Sequence, residues 1–103
     1  MNELKEKIME AAIQELNRAN ERFPLFVSKH EGYAVIKEKL EETSEELEML
    51  QDLIETIWQH VRGKQDRSIE IDTITNQAIN MACAATQTAA MLMKYSMSIQ
   101  KEG

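Results

Sequence analysis

Apolar residues fall at three- and four-residue steps along almost the whole chain, and this rhythm predicts three helices. Leu4, Ile8, Ala11, Ala12, Leu16 and Ala19 recur among charged positions, which marks an amphipathic helix over residues 2–20. Pro24 cannot continue it and holds Phe23 extended. In the loop that follows, Phe23 and Phe26 are expected to plug one end of the core; the other reading makes them an aromatic wall for a ligand. Ser28-Lys29-His30-Glu31 has the form of a capping box, in which Ser28 accepts from the Glu31 N–H and Glu31 reaches back.

The helix begun there is predicted over 29–62, ending where Gly63 supplies a left-handed turn. Its stripe is Tyr33, Ile36, Leu40, Thr43, Leu47, Leu50, Ile54, Ile57 and Val61, spaced as in a coiled-coil seam. At 1.5 Å per residue it spans roughly 50 Å. After a polar turn over 63–67, a third helix over 68–99 repeats the rhythm with Ile71, Ile74, Ala78, Met81, Ala85, Thr88, Leu92, Tyr95 and Ile99. Its stretch from Met81 to Met91 carries no charge and is mostly small, so it should be buried on nearly every side. Three helices hardly surround such a segment. The expected fold is therefore all-α: one domain over 1–103, an antiparallel helical bundle with two long helices, completed by oligomerisation as a dimer or tetramer.

Composition narrows the picture. With 3 Gly and 1 Pro in 103 residues, turns are too few for a sheet protein. The net charge of −6 leaves no basic face for DNA or RNA and disfavours an anionic membrane surface. No apolar run approaches a membrane span, no leader segment opens the chain, and the single Cys83 cannot form an intrachain disulfide. A cytoplasmic location is expected, with Cys83 as an inert buried thiol. Trp58 is expected at an inter-helix contact, and His60 is read as structural near its helix C-terminus.

Charge then singles out the second helix. From Leu40 to Val61 it carries seven acidic residues and no Lys or Arg. Glu38, Glu41, Glu42 and Glu45 stand at i, i+3, i+4 and i+7, stacked on the face opposite the apolar stripe. Like charges so placed repel by a few tenths of a kcal/mol per pair. Bound cations, a basic partner or plain solvent and salt would offset this. Carboxylates one turn apart suit Mg²⁺, which takes oxygen ligands and retains waters and phosphates.

Glu41-Glu42-Thr43-Ser44-Glu45 fits the EExxE motif of the all-α nucleoside triphosphate pyrophosphohydrolases, the MazG-like family. His30-Glu31-Gly32-Tyr33-Ala34-Val35-Ile36-Lys37-Glu38 resembles the "HEGYAVIxEE" opening of small phage and prophage members, and Gln87-Thr88-Ala89-Ala90-Met91 is similar to their "QVAAM" helix. The resemblance covers residues 28–94. It implies antiparallel helices that dimerise or tetramerise, and hydrolysis of a nucleoside triphosphate to monophosphate and pyrophosphate. Carried over, it makes Glu38, Glu41, Glu42 and Glu45 the Mg²⁺ ligands, with Glu42 and Glu45 the catalytic candidates. Weaker substrate-binding candidates are Asn80, Gln87, Lys94 and His30. His30 is read first as a capping or solvated residue, and Lys94 first as a surface lysine. The family's second acidic motif, ExxD, is absent, since Ala84 and Gln87 occupy its positions. The alternative is a non-catalytic, phage-type helical interaction module whose acidic face meets a basic partner.

Overall fold

A computed structural model of the chain describes residues 2–63 and 70–102; the 64–67 part of the expected turn and the expected helix start at 68 lie outside them. Three helices account for nearly all of it: α1 (Glu3–Arg22), α2 (Lys29–Val61) and α3 (Ile71–Glu102). The described residues contain no strand.

The helix ends follow local chemistry. Asn2 caps α1 by accepting the Lys5 N–H at 2.7 Å. Ser28 caps α2, its Oγ accepting the Glu31 N–H at 3.1 Å. The return half of the capping box differs by one residue, because Glu31 Oε1 accepts from the Val27 N–H rather than from Ser28. Gly63 closes α2 with φ of 71°, the left-handed conformation expected of it.

α2 and α3 form a long antiparallel hairpin: Thr43 Oγ1 meets Thr88 Oγ1 at 3.2 Å, and further along α2 the Gln77 amide donates to the Glu46 carbonyl at 2.9 Å. α1 packs on α3 and not on α2. Leu16 clusters with Ala90 and Met91, and the Phe23 carbonyl accepts from Lys94 Nζ, so α1 runs parallel to α3. The path is up, down, up, with α3 in the middle.

Each long stripe divides into two rows. On α2 the row Ile36, Thr43, Leu50 and Ile57 is half-buried against α3, while the row Tyr33, Leu40, Leu47, Ile54 and Val61 is 42–68% exposed. On α3 the row Ile74, Met81, Thr88 and Tyr95 turns inward, while Ala85 is exposed and Ile71, Leu92 and Ile99 are 39–52% exposed. Leu92 stands about 200° around the helix from Ala90, which is sealed against α1. The open rows of both helices therefore share one face of the hairpin, on the side away from α1.

Several side chains depart from expectation. Cys83 is exposed, not buried: it stands two turns before Ala90 on the same side of α3, and α1 does not cover it there. Phe23 is 72% exposed; only Phe26 packs on the core. Trp58 is 52% exposed and holds Arg62 over its ring at 5.9 Å. The stretch from Met81 to Met91 is not buried on every side, since Ala82 and Ala85 are also open. Lys94 is the reverse case: it is 4% exposed, not a surface lysine.

Few side chains are sealed. Among the described residues, the buried apolar ones are Ala12, Leu16, Ile74, Ala84, Ala90 and Met91, half of them alanines. The accessible surface is 7828 Å², whereas a compact monomer of 11.9 kDa exposes about 5,900 Å². The radius of gyration is 17.8 Å against about 13 Å for a compact chain of this length.

Candidate functional site

The acidic stack forms on one unbroken helix, as expected, but its carboxylates do not converge. Glu38, Glu41 and Glu45 are exposed, and Glu42 is half-buried with its Oε2 3.5 Å from Lys39 Nζ. Among the described residues, no three of His, Cys, Asp and Glu gather as a metal would need. The facing surface of α3 supplies no acid. Gln77, buried at 6% exposure, donates its amide to Glu46 Oε2 at 2.6 Å, and Ala84 is buried. Among the described residues, the carboxylates of this stack come from α2 alone. Lys39 adds a cation at the position where the "HEGYAVIxEE" pattern has its second glutamate.

The remaining candidates separate. His30 is exposed in the first turn of α2. Asn80 is exposed and donates to Gln77 Oε1 at 3.4 Å. Gln87 and Lys94 do come together, in an open groove of about 1040 Å³ between α1, the 23–27 loop and the first half of α2. Lys39, Val35 and Glu31 reach it from α2, and Arg18 and Arg22 from α1.

Lys94 ties the groove's loop to α3. Its Nζ donates to the Phe23 carbonyl at 2.6 Å and lies 4.9 Å from the centre of the Phe26 ring. Ser98 Oγ, one turn on, accepts the Phe26 N–H at 3.0 Å and donates to the Lys94 carbonyl. Burial pushes the Lys94 ammonium below its usual pKa, and the nearby Glu31 charge opposes that shift.

Close packing at Gly32 completes the corner. A Cβ there would stand 2.5 Å from Tyr95 Cδ1 and 3.0 Å from Phe26 Cδ2, so only glycine lets the start of α2 approach α3 this closely.

Sequence reasoning missed Gln77, Glu46 and Lys39. The one available signal was Lys39, a cation flanked by acids at the head of the acidic run. The Gln77–Glu46 bond spans 31 residues and leaves no local trace. No family model matches the chain, and neither the curated proteins nor the solved structures give a match.

Proposed function

We propose that this chain works by association, as one subunit of a homo-oligomeric helical assembly rather than as a catalyst complete in itself. The observation that carries this reading is the open apolar face of the hairpin. Leu40, Leu47 and Ile54 form a ridge on α2, and Ala78, Ala82, Ala85 and Ala89 form a shallow trough beside it on α3. A ridge beside a trough is self-complementary about a two-fold axis: the ridge of one copy fills the trough of the other. The surface in excess of a compact monomer, about 1,900 Å² per chain, is the amount an obligate interface buries on each partner. Pairing there leaves Glu38, Glu41 and Glu45 outward, available to a basic partner or to cations.

The second reading is a nucleotide pyrophosphohydrolase of MazG-like ancestry. The uninterrupted acidic helix beside a nucleotide-sized groove favours it, and the lone-helix ligand set weighs against it. One set of samples separates the readings. Folding coupled to association predicts a melting temperature that rises with protein concentration. The same samples with Mg²⁺ and a nucleoside triphosphate should release no pyrophosphate. Release that disappears in Glu42→Gln or Glu45→Gln would favour the second reading; a melting temperature independent of concentration would contradict the first.

A further inference from the structure

The groove between α1 and α2 contains a charge that association does not use. Most of its ionic groups are answered within the chain: Arg18 pairs with Glu15 at 2.9 Å, Lys39 with Glu42 at 3.5 Å, and Glu31 accepts the Val27 N–H. Lys94 is not answered in this way. It is 4% exposed, and among the described residues no carboxylate lies within 4.0 Å of its Nζ. An ammonium has three donor hydrogens, and the Phe23 carbonyl takes one of them. Its contacts are a carbonyl and the Phe26 ring, with the Glu31 charge near but not in contact, and a buried cation so placed gains from a counter-ion that meets it directly.

The walls around it are apolar. Ala19 comes from α1, Phe26 from the loop, Val35 from α2 and Met91 from α3. A pocket of about 1040 Å³ is at the upper end of the range that takes a small molecule. Arg18, Arg22, Lys39, Glu15, Glu21 and Glu31 also line the groove, but Lys94 alone of its charged residues is buried, among the apolar walls.

We propose that this groove receives a small amphipathic anion, with a single carboxylate or phosphate headgroup on Lys94 and an apolar body along Phe26, Val35 and Met91. Of the two lining cations without a carboxylate within 4.0 Å, Arg22 is exposed and Lys94 is buried, so the headgroup is placed on Lys94. The neighbouring Glu31 and Glu42 carboxylates would repel the further charges of a polyanion. The site lies on the α1 side of the hairpin, so it stays open whether or not the opposite face is covered.

The test uses the intact protein, titrated with decanoate, decyl phosphate and decanol while backbone NMR shifts are followed. Decanoate and decyl phosphate are expected to move the resonances of Phe23 to Val27, Val35 and Gln87 to Lys94. They should bind at least about tenfold more tightly than decanol, which has the same body without the charge. The tighter of the two anions tells a carboxylate from a phosphate source. Lys94→Met should erase the preference over decanol, and Lys94→Arg, which keeps a cation on the loop, should retain it. Equal affinity for all three compounds would overturn the proposal, as would shifts confined to Leu40, Leu47, Ile54 and Leu92.

Discussion

Leu47→Glu is expected to separate the assembly into single chains. Leu47 stands at the centre of the exposed α2 row and is 42% exposed in the lone subunit. Glutamate is a good helix former, so α2 itself should persist. In the proposed assembly the position would be covered, and by two-fold symmetry covered twice. Each copy would lose the burial of the part of Leu47 still open in the subunit, about 1 kcal/mol, and would place a carboxylate in an apolar contact at further cost. A total loss of about 3 kcal/mol or more corresponds to at least about a hundredfold weaker association. Sedimentation velocity at a fixed concentration reads this directly. A variant that sediments like the wild type would show that Leu47 lies outside the interface.

Gly32→Val should be the most damaging single change within a subunit. The added Cβ alone meets Tyr95 at 2.5 Å, and the two methyls beyond it have no space on that side. Overpacking of this kind costs about 1–3 kcal/mol, and we expect the upper end, because the Tyr95 and Phe26 rings at this corner must both be displaced. The gain in helix propensity on leaving glycine, at most about 1 kcal/mol, offsets only part of this. The effect reaches further than stability, since Gly32 and Phe26 hold the corner from which the 23–27 loop is hung. Urea denaturation of both proteins at equal concentration measures the difference. A midpoint equal to the wild type's would contradict the packing described at this corner.

The helices themselves were legible because their signals are local. Pro24, the Ser28 box and Gly63 fix the ends of α1 and α2 through contacts spanning four residues or fewer, and each end falls within about two residues of expectation. The stripe of α2 was also legible, but not its division. Periodicity identifies which residues are apolar; it does not say how many partners share them. Ile36 and Leu50 go to α3, while Leu40 and Leu47 are left open, and only the angle at which the hairpin packs decides between them. Cys83 was misplaced for the same reason, since its burial was assigned to cover that one chain does not supply.

The site was less legible. An acidic run can be seen in the sequence, but convergence of its carboxylates cannot, and α3 brings Gln77 and Ala84 rather than acids to the facing surface. The burial of Lys94 depends on a loop 71 residues away folding back over it. No pattern around position 94 signals that, so a lysine read as solvated proves to be the best-anchored polar group of the groove.

The most direct measurement is the mass of the wild-type chain in solution by sedimentation equilibrium at micromolar concentration. The open apolar face predicts a particle of at least twice 11.9 kDa. A stably folded species of 11.9 kDa at every concentration would mean that the exposed rows of α2 and α3 face water, and the account of this protein as an assembly subunit would fail.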